Sequence, residues 1–203
     1  MNCKPYGEKK SKKMLTAFSL IELLVVLLLL AILVTMVSLM SHNSYADNKG
    51  RSYIKTLSAA VDLARVHAMS QGSAVIICPS ATRQSCADIS NDDWQDHEII
   101  VFSSKDGSSD YDVNTDEMLL VLSSPQGSDH MYWHAFPNTN YVKIQADGFV
   151  TSSGSFIYCS NLSAVDTPVA GLIINSLGRT QLAEDENNNS IPENGSGNDM
   201  SCD

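Results

Sequence analysis

The cysteines are the side chains of this sequence whose chemistry is easiest to assign. Cys3 lies in a lysine-rich leader, and Cys78, Cys86, Cys159 and Cys202 form an even set beyond it. An even set suits disulfide bonds in an oxidising compartment. Cys78 and Cys86 bracket the short segment CPSATRQSC and are predicted to pair, which leaves Cys159 with Cys202 by elimination. Four cysteines allow three connectivities, so the pairing stays open at this point.

Metal and catalytic chemistry have weaker support. No cysteine pair has the spacing of a zinc site. His130 and His134 would lie about 13 Å apart on one face of a strand, too far to share a metal. Acidic and amide residues alternate from Asp110 to Asp116 and again from Asp185 to Asn189. Both runs depart from the EF-hand pattern and are interpreted as solvated loops. Without a nucleophile or phosphate-binding motif, we predict no enzyme, catalytic residue, metal or cofactor.

One apolar segment near the start is the most distinctive element. Residues 18–40 read FSLIELLVVLLLLAILVTMVSLM and contain a single charge, Glu22. A helix of this length crosses a bilayer of about 30 Å, and the preceding lysines place its N-terminus in the cytoplasm. A secretory signal peptide would have a shorter apolar region. Because an ionisable residue in a membrane helix is costly unless it has a partner, Glu22 is a candidate assembly residue. The alternative to an assembly role is that the Glu22 carboxylate simply reaches the cytoplasmic interface of the membrane.

The segments that follow predict an α+β domain. Apolar residues between Tyr53 and Ala68 recur at steps of three or four, which indicates a helix over 41–72 that ends near Gly72, with a bend around Ser41–Gly50. Closely spaced β-rich runs then predict antiparallel strands that cover the helix. The runs are Ala74–Cys78, Glu98–Phe102, Met118–Ser123, Met131–Phe136, Tyr141–Gln145, Ser155–Cys159 and Gly171–Asn175. The domain is thus expected over 73–183, and 184–203 as a flexible polar, acidic tail or loop.

The boundary between leader and apolar segment resembles the type IV prepilin cleavage and methylation motif. Ala17-Phe18-Ser19-Leu20-Ile21-Glu22 matches a small residue followed by Phe-Thr-Leu-Ile-Glu, with Ala for the usual Gly and Ser for Thr. The resemblance implies that prepilin peptidase removes residues 1–17 by cutting between Ala17 and Phe18. The new amine of Phe18 would then be methylated, and Glu22 would pair with the amine of a neighbouring subunit.

The rest of the chain resembles the GspH/FimT group of minor pilins and pseudopilins. The matching features are an Ala-Arg helix end at Ala64-Arg65, a valine-rich strand, Cys78-Pro79, a second cysteine, Trp94 and a late Gly178-Arg179. The resemblance implies a pilin-like fold, in which a long transmembrane helix packs on an antiparallel, β-sandwich-like domain. It implies a structural role in a pilus-like filament of a type II secretion system or type IV pilus. The partners would be other pilins or pseudopilins, met through the N-terminal helix.

The location implied is the inner membrane, with a single pass and a periplasmic domain, and then the filament. An alternative is a membrane-anchored binding module that never polymerises. Without residues 1–17 the chain has 8 basic and 22 acidic residues, a net charge of −14. Some FimT-type relatives contact DNA through Gly-Arg-x-Arg, but here Gln181 replaces the second arginine. Because phosphate neutralisation dominates DNA affinity, no nucleic-acid partner is expected.

Overall fold

The computed structural model describes residues 19–89, 92–125, 127–161 and 168–202, without the side chains of 34–44 and 46. The chain divides into two compact units, Met1–Ser41 and His42–Asp203. One helix, α1, spans Leu20–Gln71, and eight strands follow within the described residues. They are β1 Ala74–Ser80, β2 Glu98–Ser104, β3 Glu117–Leu122, β4 His130–Phe136, β5 Val142–Ile144, β6 Ser153–Cys159, β7 Pro168–Ile174 and β8 Thr180–Leu182.

The strands form two four-stranded sheets in which every named pair is antiparallel. The first sheet, sheet A, has the order β3-β2-β1-β5, and the second, sheet B, has the order β4-β6-β7-β8. This arrangement confirms the α+β class and the antiparallel pairing. All seven predicted strands are present, with ends that differ by up to three residues. The sequence missed β8, because Thr-Gln-Leu is too short and too polar to show a period of two.

In the second unit, α1 buries the face that the periodicity predicted. Leu57, Val61, Ala64 and Ala68 are fully buried, and Ile54 is 1% exposed. Burying a branched aliphatic side chain of this size contributes roughly 1.5–3 kcal/mol. The helix ends at Gln71 because Gly72 adopts a left-handed φ of 66°, and its N–H donates to the carbonyl of Ala68. Helix continues through residues 41–50, and the bend expected there stays a prediction.

Helix and sheets share one main core. The inner face of sheet A contributes alternate residues such as Val75 and Ile99, and that of sheet B contributes Trp133, Phe156 and Leu172. The ring of Phe156 lies 4.4 Å from that of Trp133 and 5.0 Å from that of Trp94, measured between centroids. Such aromatic contacts add to the area that these side chains bury. The core therefore forms where the helix stripe meets both sheets, as neither face is stable alone.

The acidic C-terminal segment, predicted as a flexible polar tail or loop, contains buried residues that its composition did not indicate. Met200 is 4% exposed and packs with Ile157 and Cys159 on the outer face of sheet B. A Cβ on Gly171 would collide with the sulfur of Met200, so the absence of a side chain at 171 leaves the space that the methionine occupies. The carboxylate of Glu193, a residue that is 6% exposed, accepts N–H groups of the preceding loop. The polar composition of this segment gave no indication of the packing. The segment is held by one buried methionine and by local hydrogen bonds, and not by a periodic series of apolar side chains.

Two disulfide bonds are present, and they join the expected partners. Cys78 is bonded to Cys86 across the loop that follows β1, with Cα atoms 5.5 Å apart. Cys159, at the end of β6, is bonded to Cys202, with Cα atoms 6.0 Å apart. The second bridge fixes the segment 192–202, which we call the C-terminal strap, against sheet B. The strap is therefore held by a covalent bond as well as by Met200.

Candidate functional site

The N-terminal part of α1 presents an unusual surface. Large apolar side chains from Leu20 to Leu33 are 44–81% exposed. Glu22 is the only charged residue in this stretch and lies in the first helical turn, where its backbone N–H donates to the carbonyl of Ser19. A carboxylate is favourable at a helix N-terminus, because the peptide dipoles leave partial positive charge there. Ala17 and Phe18, the predicted cleavage and methylation residues, lie outside the described residues.

The predicted membrane segment is only partly covered by the description. Among the described residues, no helix reaches the length and hydropathy that crossing a membrane requires. The span predicted over 18–40 includes residue 18 and the side chains of 34–40, which the description leaves out. The membrane helix therefore stays a prediction.

In the second unit, a buried ionic cluster fastens α1 to sheet B. Asp129 is 2% exposed and precedes β4. One of its carboxylate oxygens accepts the Lys49 ammonium of α1 at 2.6 Å and the Tyr158 hydroxyl of β6 at 2.7 Å. The other oxygen accepts the Asn161 N–H at 3.1 Å and the Ser160 hydroxyl at 3.3 Å. Every contact is to a residue at least 29 positions away, so sequence patterns gave no signal for this cluster.

The electrostatics of the cluster favour the charged pair. Burial by itself would raise the pKa of Asp129, but hydrogen bonds from Lys49, Tyr158 and the Asn161 amide outweigh it and lower the pKa. Burial and the neighbouring carboxylate raise the pKa of Tyr158, which keeps its hydroxyl protonated as a donor. A buried carboxylate is tolerated here because each of its oxygens has two hydrogen-bond donors.

A second contact set joins the C-terminal part of α1 to two glycine turns. The Arg65 Nε donates to the carbonyl of Gly148 at 3.3 Å. Gly178 has φ 68°, and a Cβ there would collide with that same carbonyl and lie 3.2 Å from Arg65 Cδ. The arginine and the late glycine of the sequence motif are therefore neighbours in the fold. Their contact holds the helix against the two turns that contain Gly148 and Gly178. This close approach is possible only with a residue that has no side chain at 178.

Two cations of the domain, Arg65 and Lys143, donate to backbone carbonyls. Arg65 donates to Gly148, and the Lys143 ammonium donates to the Gly107 carbonyl at 2.5 Å. Arg179 is exposed, and the hydroxyl of its neighbour Thr180 donates to Asp62 on α1. The Gly-Arg turn therefore has an acidic residue of α1, Asp62, beside it as well as Arg65.

The histidines and acidic loops form no metal centre in the described part of the chain. His130 Nδ1 lies 2.7 Å from the Asp93 carboxylate, and the ring of His134 lies beside Tyr132 on the same outer face. Oxygens of the loop carboxylates accept N–H groups of their own loops, as Asp112 does from Asn114 and Asp185 from Ser190. These carboxylates thus stabilise turns.

Comparison with known proteins settles the family. The family model of the type II transport protein GspH matches residues 54–178. The chain belongs to the GspH family. Two crystal structures of the type IV minor pilin FimU from Pseudomonas aeruginosa are similar, each at 19% identity. One has a TM-score of 0.49 and covers 68% of this chain and 90% of that chain, and the other has 0.47, 66% and 92%. No curated protein matches.

The GspH match contains the features on which the resemblance was built. Arg65, Cys78, Cys86, Trp94 and Gly178 all lie within the matched range. The Lys49 anchor, the C-terminal strap and the part of α1 before residue 54 lie outside it. The GspH match therefore covers the domain core and its helix contact, and the residues predicted for processing and assembly lie outside it.

Proposed function

We propose that this GspH-family chain is a minor pilin or pseudopilin of a type II secretion system or type IV pilus. Prepilin peptidase cleaves between Ala17 and Phe18, and the amine of Phe18 is methylated. The mature protein sits in the inner membrane through residues 18–40, with its N-terminus cytoplasmic and its domain periplasmic. It then enters a filament with other pilins or pseudopilins. The observation that carries this proposal is the GspH match on a chain whose N-terminus holds the prepilin-type motif.

The exposed apolar surface of α1 supports a role in packing. Side chains such as Leu20, Leu27 and Leu33 are 81%, 58% and 59% exposed. Contiguous apolar surface on this scale marks an interaction with lipid or protein. Glu22 supports assembly in particular, since a carboxylate in an apolar packing environment needs a cationic partner. The methylated amine of a neighbouring subunit supplies one.

The two disulfides support the periplasmic location. Cys78–Cys86 and Cys159–Cys202 are bonded, and such bonds persist in oxidising compartments. The net charge of −14 for the mature chain places the acidic domain away from anionic headgroups.

Processing and assembly are separable by mutation. Ala17→Lys is expected to leave an uncleaved precursor, because the scissile bond needs a small residue beside it, whereas Ala17→Gly is cleaved. Glu22→Ala is expected to be cleaved but absent from sheared filaments, with Ser19→Ala as the matched control. Immunoblots of processed size and filament fractions make the measurement. Normal incorporation of Glu22→Ala refutes the pairing role.

The rival is a membrane-anchored binding module that does not polymerise. Intact-mass analysis of the membrane protein separates the two: a chain that begins at methylated Phe18 supports assembly, and one that begins at Met1 supports the anchor. A deletion strain assayed for twitching, piliation and secreted enzyme activity shows whether the protein belongs to a type IV pilus or to a type II secretion system.

A further inference from the structure

The outer face of sheet B carries a long groove that the assembly role does not use. Its volume is about 810 Å³. The strap, with Asn194 and Asp199, forms one wall, and the end of β4 with Phe136 forms the other. Volumes of 300–1,000 Å³ are typical of ligand sites. The groove lies wholly within the second unit and away from α1.

The floor of the groove is a straight row of side chains across all four strands. His134 of β4 pairs with Ser155 of β6, Ser155 with Ile173 of β7, and Ile173 with Gln181 of β8. Paired residues of adjacent strands point to the same face, so these four side chains stand side by side. Three strand spacings of ~4.8 Å make the row about 14 Å long, enough for two or three linked sugar rings.

The chemistry of the lining is that of short neutral polar groups. Serine hydroxyls and asparagine and glutamine amides dominate it, and no lysine or arginine contributes. Its charged groups are the carboxylates of Asp92 and Asp199, and the second already accepts the side-chain amides of Asn187 and Asn189. A site without cations does not bind polyanions. Apolar side chains such as Ile157, Ile173 and Met200 lie beside the polar groups, which suits a ligand that presents both kinds of surface.

Two side chains point to a ligand. Ser155 is 92% buried, since it is only 8% exposed, and its hydroxyl lines the groove with no hydrogen-bond partner among the described residues. The hydroxyl opens into the groove, so it has hydrogen-bonding capacity for an incoming group. Phe136 is 85% exposed at the rim, so its ring is open to a molecule that enters the groove. An exposed ring beside unpaired polar groups offers a flat apolar platform and directed hydrogen bonds together.

We propose that this groove binds a neutral saccharide chain. The apolar face of one sugar ring packs on Phe136, and its hydroxyls exchange hydrogen bonds with Ser155, Gln181 and the Asp92 carboxylate. A sugar presents one C–H face and many hydroxyls that both donate and accept, which matches an aromatic ring above a floor of hydroxyls and amides. The activity is binding alone, and it does not depend on filament entry.

The test uses the full chain in a detergent without a sugar headgroup. Soluble neutral tetrasaccharides of glucose, mannose and N-acetylglucosamine are titrated, and binding is followed by saturation-transfer NMR and calorimetry. At least one is expected to bind below about 10 mM. Phe136→Ala is expected to weaken that binding about tenfold, and Gln181→Ala to weaken it several-fold. Both residues are exposed, so neither variant threatens the fold.

Phe149→Ala is the matched control, because Phe149 is 46% exposed and lies outside the groove. It is expected to bind as the parent chain does. Absence of binding for every tetrasaccharide at about 10 mM overturns the proposal. So does binding that Phe136→Ala leaves unchanged. Displacement of the sugar by an unrelated acidic peptide would show a nonspecific surface and would likewise overturn it.

Discussion

Removal of the Asp129 carboxylate should destabilise the domain more than any exposed substitution. In Asp129→Ala, the Lys49 ammonium and the Tyr158 hydroxyl lose an acceptor at 2.6 and 2.7 Å, and the Asn161 N–H loses one at 3.1 Å. Breaking a buried ion pair by removing one partner costs about 3–5 kcal/mol. The Lys49 side chain is 22% exposed and recovers some hydration, so we expect about 3 kcal/mol, at the lower end.

Thermal unfolding of the mature chain, followed by circular dichroism, measures this cost. A loss of about 3 kcal/mol corresponds to a fall in Tm of about 6–12 °C for a domain of this size. Asp96→Ala is the matched control, because Asp96 is exposed. It should change the free energy of unfolding by no more than about 0.5 kcal/mol. If Asp129→Ala shifts Tm as little as Asp96→Ala does, the cluster does not fasten α1 to the sheet.

The same carboxylate predicts the direction of an acid effect. Its pKa is lower in the folded state than in the unfolded chain, so the stability that it contributes is present above the ordinary aspartate pKa. That stability is lost as the pH falls below about 4 toward the lower folded value. Asp129→Asn removes the titrating group, and its Tm should fall less steeply with acid than that of the parent chain. Parallel pH profiles would contradict the assignment.

Three further outcomes follow from contacts described above. Gly178→Val should cost about 2 kcal/mol, because φ is 68° and the new side chain meets the Gly148 carbonyl and Arg65; urea unfolding measures it. Replacing Cys159 and Cys202 by serine should lower the free energy of unfolding by about 2–4 kcal/mol, measured in the same way. The full chain should not shift a DNA duplex at low salt, since the mature protein carries a net charge of −14.

Each of these outcomes has its own control. For the valine substitution it is Gly197→Val, because Gly197 has a similar φ of 77° but nothing within 4 Å of its added Cβ, so the difference isolates the collision. For the serine pair it is the replacement of Cys78 and Cys86 by serine, which opens a loop of only 8 positions and should lower the free energy of unfolding by less. Tight, salt-sensitive DNA binding that Arg179→Ala abolishes would refute the third.

Local signals in the sequence were enough to predict the domain part of the helix and most of the strands. The three-to-four spacing from Leu57 to Ala68 and the glycine at 72 defined the domain part of the helix, because helix faces and helix ends are set by neighbours in the chain. The strands between Ala74 and Ile174 followed from alternation and turn residues. The prepilin-type motif is also a local signal, and the roles assigned to its residues stay a prediction.

The remaining features depend on contacts between distant positions. Lys49 and Asp129 are 80 residues apart, and no pattern in the sequence around either residue predicts their ion pair. The row from His134 to Gln181 exists only once the strand register is known. The buried positions of the strap were not predicted, because composition reports average polarity, while the packing depends on the contact of Met200 with Gly171.

The bridge between Cys159 and Cys202 also decides what a protease can do to the domain. It spans 43 positions in sequence and encloses β7, β8 and the strap in one covalent ring. A single cut anywhere inside this ring opens it without releasing a fragment, because both new ends remain tied through Cys159 to the rest of the chain. A nicked subunit would therefore keep its intact mass, plus one water, until it is reduced. Comparison of reduced and non-reduced gels reveals such a nick at once.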